Sequence, residues 1–386
     1  MIKQSWQFDT RRSFLRTAAA ASAASVIDAF ASPVRRVPAA ADPRFAYVGT
    51  ASEGIQVLTL RRGRWIHTQA VRSRSPSAMA FHPNQNFLYA ANAVDEHHGL
   101  PHGTVETYAV DQQSGALTLL GRQPLSLSAV GPRSLTVSPD GRYLVVPVYG
   151  GGAYNVLRIE ANGTVGRVTG IMKEIGSGPN AEYQNSAHPH TAIFDLTGRC
   201  LLSSDFGSDR LNVFTMSAGR LVRTGQLAVR AGCGPGHVAL HPSGALAYVL
   251  NELDASVSCV HLRAETGEIR GHYERVALLQ TKRKITRGAV AVHPSGRTLS
   301  TLAEGMASWR IDASTGALTK IKVWGDRAAS LDAPLFSPDA QNLFYLDRAQ
   351  GKVMHAGLVG TSGEFSEMTE AAQVELPLSL ALQFFC

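Results

Sequence analysis

Two short segments combine residues that could do acid–base chemistry. His188-Pro189-His190 places two imidazoles one residue apart, and Asn251-Glu252 sets an amide beside a carboxylate. Imidazole changes charge near neutral pH, which suits it to take and return a proton. Gly131-Pro132-Arg133 and Arg287 add guanidinium groups, and Gly234-Pro235-Gly236-His237 adds another imidazole. Carboxylate, imidazole and guanidinium aimed at one point are what ester hydrolysis on an anionic small molecule needs. Other chemistries are poorly served. His97, His98 and His102 sit in a Gly-containing loop whose nearby carboxylates are Asp95 and Glu96, which reads as a solvated loop. The four cysteines (Cys200, Cys233, Cys259, Cys386) share no short loop, so a zinc site is not expected. Gly150–Gly152 is not followed by Lys-Ser/Thr and a helix, so it is no phosphate loop. The expectation is a site with neither metal nor cofactor.

Groups this far apart in the chain need a scaffold that returns to one place again and again, and the sequence has one. Six turn signatures recur 44 to 57 residues apart: HPNQ at His82, SPDG at Ser138, DLTG at Asp195, HPSG at His241, HPSG at His293 and SPDA at Ser337. In most of them a proline fixes φ at the second position and a glycine at the fourth lets the chain reverse. An apolar β-type run precedes each turn (SAMAF, SLTV, TAIF, HVAL, AVAV, APLF) and another follows it (FLYAAN, YLVVPV, CLLSSD, LAYVLN, TLSTLA, NLFYLD). Short alternating runs at this period predict one four-stranded sheet per repeat. Such a sheet cannot cover both of its faces alone, so the repeats must stack around an axis. Phe45–Leu60 forms a further unit without an opening strand, and Leu376–Phe385 can supply it. The predicted fold is therefore all-β, a seven-bladed β-propeller over 42–386 closed by pairing of the N- and C-terminal strands. The HPSG-type turns then lie on one face. The leads into first strands and the exits from second strands, which carry all the groups named above, gather on the other face. His82, His241 and His293, which open turns on the far face, are expected to be structural.

Composition excludes several classes. With 44% hydrophobic and 17% charged residues the chain is not extensively disordered. No uninterrupted apolar run reaches the ~18–20 residues of a membrane helix, so no stable membrane anchor is expected. The net charge of +7 divides into +4 for residues 1–41 and +3 for the remainder, with no concentrated basic stripe for nucleic acid. The basic N-terminus has another explanation. Arg11-Arg12, Phe14-Leu15, an alanine-rich stretch and Ala29-Phe30-Ala31 occur in the order of a twin-arginine export signal with its cleavage site, so 1–41 is expected to be signal and linker. The precursor would engage the twin-arginine machinery, and the mature protein would be periplasmic or secreted.

The segment Gly176–Phe214, with AYVGT at Ala46, GALTLLGRQP at Gly115 and GPGHVALHPSGALAYVLNELDASV at Gly234, resembles the β-propeller lactonase family. That family includes seven-bladed 6-phosphogluconolactonases and 3-carboxymuconate-type lactonising enzymes. The resemblance implies His190 as catalytic base, with His188 beside it and Glu252 orienting it. It also implies ligand-binding roles for Gln184, Asn251 and His237. The family's two arginines are not retained: Gly236 and Glu304 stand at those positions. Arg133 and Arg287 lead into first strands on the same face, so the expectation is a cationic site moved round the channel, taking a lactone or carboxylate. Export argues against a cytosolic sugar phosphate as substrate. The alternative is a propeller that binds ligand or protein without catalysis.

Overall fold

Each of the six turn signatures closes the same backbone loop. The amide of the fourth residue donates to the carbonyl of the first, as from Gly244 to His241 (2.9 Å), Gly141 to Ser138 (2.8 Å) and Gly296 to His293 (2.8 Å). The fourth residue is left-handed in every case, with φ of 69° at Gly244 and 72° at Gly296. Two turns lack glycine there, and Gln85 (φ 63°) and Ala340 (φ 58°) take the same conformation at a cost of roughly 1–2 kcal/mol.

These turns organise seven antiparallel sheets in a computed structural model that describes residues 44–263, 266, 268–277, 288–303, 305–324, 330–359, 364–366 and 368–384. The export segment, Arg287 and Glu304 lie outside the described residues. Blade 1 joins the chain ends. Pro377–Gln383 is its innermost strand and pairs antiparallel with Phe45–Thr50, which pairs in turn with Ile55–Arg61, and Arg64–Val71 lies outermost. The innermost strands of blades 2 to 7 are Pro76–Phe81, Thr136–Val137, Pro189–Phe194, Pro235–Leu240, Ala289–Val292 and Leu331–Phe336. Every described element is a strand, and the ring is the seven-bladed propeller expected, closed by the pairing expected.

The core is distributed. Seven apolar clusters among the described residues each lie at one seam between adjacent blades. Tyr248, Leu250 and Val257 of blade 5 meet Leu299 and Trp309 of blade 6, and Ala46 and Val48 of blade 1 meet Phe344 and Leu346 of blade 7. Fully burying one such side chain stabilises by about 1.5–3 kcal/mol, so the seams dominate the cohesion of the ring. Polar bonds set the register between blades. His82, His241 and His293 each reach the fourth turn residue of the next blade through Nε2, at 3.2 Å (Gly141 O), 2.9 Å (Gly296 O) and 2.9 Å (Ala340 O). They are structural, as their position in the turn implied. Tyr89 and Tyr248 hydroxyls likewise donate to Gly163 and Gly316 carbonyls in the following blade, at 2.8 and 2.9 Å.

Replacing Gln85 or Ala340 by glycine relieves the left-handed strain without disturbing these bonds. Each substitution is expected to stabilise by about 0.5–1 kcal/mol, less than the full strain because glycine also loosens the unfolded chain. Chemical denaturation of the two variants against wild type measures it.

Candidate functional site

Among the innermost strands of blades 2 to 7, four carry an irregularity at the end where they begin, and the closing strand of blade 1 skips Leu378 in the same way. The ladder slips between Pro76 and Ala78, Pro189 and Thr191, Pro235 and Val238, and Asp332 and Leu335. Proline has no amide to donate to the ladder, and a bulge re-aims the side chain beside it. The residues inside these four slips include Ser77, His190, His237 and Ala333, and all four line one cavity of about 200 Å³. Arg133, Glu252 and Arg348 line it as well, together with Leu378, Ser379 and Leu380 of the closing strand. The size suits one small ligand.

His190 and Glu252 face each other across the seam of blades 4 and 5. Both are buried, at 9% and 2% exposure, with Nε2 of His190 3.3 Å from Oε1 of Glu252. That is ion-pair range, yet the alignment is not that of a hydrogen bond, and Nε2 has no hydrogen-bond partner among the described residues. The interaction is electrostatic and leaves the buried nitrogen without a hydrogen bond. Its other ring nitrogen, Nδ1, lies 3.0 Å from Thr191 Oγ1.

Each of the remaining buried carboxylates has an arginine or backbone amides on at least one oxygen, although Asp205 Oδ2 has no partner among the described residues. Glu106 takes Arg122, Tyr108 and Ser73, and Glu174 takes Arg223. Asp205 accepts the amides of His188, Gly207 and Ser208, Asp209 those of Gly232 and Gly234, and Asp347 those of Ala349 and Gln350. Among the described residues Glu252 alone of the six has neither arginine nor amide on its carboxylate, and its ionic neighbour is His190.

Gly236 explains how Glu252 gets there. A Cβ at this position would lie 2.9 Å from both Cγ and Oε1 of Glu252. The Gly236 backbone is held in place, since its carbonyl accepts from Ser204 Oγ. The space that a side chain would fill is occupied by the glutamate.

The two cations of the cavity differ. Arg348 is consumed: its guanidinium donates to Asp332 Oδ2 (2.7 and 3.1 Å), to Pro377 O (2.9 Å) and to Leu378 O. Burial alone would raise the Asp332 carboxyl, but Arg348 and the Ala333 amide hold it below its usual value. Arg133 has no ion pair or hydrogen bond among the described residues and lies over the Tyr149 ring, 4.1 Å from its centroid. Burial pushes the Tyr149 phenol up against the opposing charge of Arg133, so the ring is neutral. His237 is driven down to about 4, by burial first and also by His190, with Asp332 and Glu252 opposing.

The expected site residues thus divide. His190, Glu252, Arg133 and His237 share the cavity wall. His188 does not line it, but stacks on Tyr149 at 4.5 Å between centroids. Gln184 and Asn251 do not line it either. The Gln184 amide donates to Phe206 O and Asp209 Oδ1 at 2.8 Å each, and Asn251 Nδ2 reaches Ser256 and Ser258 hydroxyls. Both brace loops. Arg348 was not among the expected ligand-binding residues, although its position directly after a second strand, beside Asp347, marked it. The rings of His97 and His98 meet at 4.1 Å, but no three metal-binding side chains converge among the described residues.

Gly236→Ala is expected to displace Glu252 from His190 while leaving the fold intact, and the ring NMR resonances of His190 would then shift while those of His241 stay in place. The depressed His237 makes a second expectation. Between its unfolded value of 6.5 and about 4 the unfolded chain binds a proton that the folded chain refuses, so stability falls as pH falls through that window. The slope from this group is at most about 1.4 kcal/mol per pH unit. Denaturation at pH 4.5 and 7 should show a smaller difference in His237→Gln than in wild type.

Comparison with known proteins agrees with this architecture. The family model described as "Lactonase, 7-bladed beta-propeller" matches residues 45–382. The chain is 28% identical over 231 residues to the 6-phosphogluconolactonase of Bacillus subtilis, an alignment covering 58% of this chain and 64% of that protein. It is 31% identical over 234 residues to the 6-phosphogluconolactonase of Pectobacterium carotovorum, covering 57% and 61%. The matched part thus spans less than two thirds of either relative. The structure of the Pseudomonas aeruginosa periplasmic gluconolactonase superposes with a TM-score of 0.77 at 22% identity, covering 88% of this chain and 98% of that one, a likeness of fold. With the family match running from the strand that opens the ring to the strand that closes it, the chain belongs to the lactonase family of seven-bladed β-propellers.

Proposed function

We propose that the protein is an exported hydrolase that opens the lactone of a small carboxylated molecule in the cavity around His190. The observation that carries this reading is Glu252, a buried carboxylate whose ionic neighbour is a buried imidazole with a nitrogen that has no hydrogen-bond partner among the described residues. A neutral His190 with its proton on Nδ1 donates to Thr191 Oγ1 and leaves the Nε2 lone pair as a base. Nε2 then takes a proton from water, and the oxygen attacks the lactone carbonyl carbon. The imidazolium that forms lies 3.3 Å from Glu252, so the carboxylate stabilises the charge as it develops. Collapse of the tetrahedral intermediate breaks the ring C–O bond, and the imidazolium returns its proton to the departing alkoxide, giving a hydroxy acid.

Arg133, with no acidic partner among the described residues, is the group for the substrate carboxylate, because Arg348 is spent on Asp332 and the closing strand. Arg287 would add to it from the lead into blade 6. Export is supported by the order of Arg11-Arg12, the alanine-rich stretch and the small-residue cleavage pattern. A second reading, a binding propeller without catalysis, is favoured by Gly236 and Glu304 at the family's arginine positions.

A panel of sugar lactones separates the two readings. His190→Ala is expected to lower kcat by about 10²–10⁴. Glu252→Gln should cost about tenfold or more in kcat with KM little changed, since its charge matters only once the imidazolium forms. Arg133→Ala combined with Arg287→Ala should raise KM for carboxylated lactones. Saturable ligand binding without turnover in wild type supports the binding propeller instead.

A further inference from the structure

The loops leading to the cavity contain one ring system that the proposed chemistry does not use. Tyr149 follows the second strand of blade 3, Tyr143–Val148, and its ring lies edge-on to His190 at 6.1 Å and tilted to Phe206 at 5.8 Å, while its faces serve two closer neighbours. The Arg133 guanidinium lies 4.1 Å from its centroid, and the His188 imidazole stacks on it at 4.5 Å with only 12° between planes. His188 is itself pinned twice. Its Nδ1 donates to the Tyr149 carbonyl at 2.8 Å, and its backbone amide donates to Asp205 Oδ1 at 2.8 Å. Asp205 is buried and also holds the amides of Gly207 and Ser208. No side chain fits at Gly207, where a Cβ would lie 1.9 Å from Ser186 O and 2.7 Å from the His188 ring. A rigid line therefore runs from Asp205 through His188 and Tyr149 to Arg133.

We propose that Tyr149, braced by His188, is a positioning residue that holds Arg133 in the cavity wall by its ring face, so that the site selects ligands bearing a single carboxylate over uncharged ones. This deepens the proposed hydrolase reading but depends on it only for turnover. An aromatic face fixes a guanidinium without engaging its N–H groups, whereas an acidic partner would occupy them. Arg348 illustrates the alternative, with its donors given to Asp332 and two carbonyls. The planar fork of Arg133 stays available for the two oxygens of a carboxylate. The charges of the cavity set the limit on the ligand. Arg133 and Arg348 are opposed by Glu252 and Asp332, so one negative charge is matched by the guanidinium left unpaired, and a second would face the two carboxylates. A free arginine side chain carries large rotamer entropy, and a guanidinium stacked in advance loses less of it on binding.

D-Glucaro-1,4-lactone, which carries one carboxylate, and D-glucono-1,5-lactone, which carries none, are the probes. Their KM and kcat, and their affinities by calorimetry, are measured on wild type, Tyr149→Phe, Tyr149→Leu and Arg133→Lys. Wild type is expected to prefer the charged lactone. Tyr149→Leu should raise KM and Kd for it by about tenfold, leave kcat within about twofold, and leave the neutral lactone unaffected. Tyr149→Phe keeps the ring face and should behave as wild type, whereas Arg133→Lys should lose the preference. The proposal is overturned if wild type prefers neither lactone, if Tyr149→Leu shifts both lactones equally or neither, or if Tyr149→Phe fails as Tyr149→Leu does. Charge-selective binding without turnover in wild type sinks the hydrolase reading and leaves the platform standing.

Discussion

The antiparallel pairing of Pro377–Gln383 with Phe45–Thr50 is the constraint on which the cavity depends. It completes blade 1 and supplies the seventh seam, without which two blade faces would remain bare. It also builds the site directly. Leu378, Ser379 and Leu380 form part of the cavity wall, and the carbonyls of Pro377 and Leu378 hold Arg348. Ser379 Oγ donates to Pro76 O at 2.7 Å, tying the closing strand to the innermost strand of the next blade. The strand that closes the ring is thus also a wall of the cavity.

Within the closed ring, the bulges decide what faces the axis. A regular strand alternates its side chains between two faces, and a one-residue slip changes which residue points inward. At Pro189–Thr191 the slip presents His190, and at Pro235–Val238 it presents Gly236 and His237. The bulge in blade 5 brings the Gly236 backbone against the Glu252 side chain, which keeps the carboxylate directed at blade 4. The position that the family resemblance associates with arginine has therefore been reassigned to glutamate packing, and positive charge comes from blades 3 and 7 instead.

The fold was legible because its signals are local. Proline and glycine at fixed offsets specify the turn, and the turn repeats often enough to define blades and their number. The cavity wall was legible only in part. His190 and Glu252 could be picked out because they sit where strands begin and end on one face. Gln184 and Asn251 occupy similar places, yet their amides are spent on Asp209 and on Ser256 and Ser258, and nothing local distinguishes a bracing amide from one aimed at a ligand. Arg348 was passed over because its role depends on carbonyls of the closing strand about 30 residues away, a relation set by tertiary pairing. The proline near each slip was visible, but the direction of the slip follows from the neighbouring strand.

Charge placement separates scaffold from site. A carboxylate removed from water costs several kcal/mol unless donors replace its hydration, and five of the six buried acids are provided with amides, hydroxyls or an arginine. Those five serve the fold, since each ties a loop or a seam. Glu252 ties nothing of that kind. Its neighbour is an imidazole that gains a positive charge only by taking a proton, so the attraction between the two is realised only in that state. Arg133 shows the same economy in the opposite sign, a cation held by an aromatic face and not by an anion. A scaffold selected for stability alone would neutralise both groups internally, whereas here the carboxylate faces an imidazole and the guanidinium an aromatic ring beside one cavity.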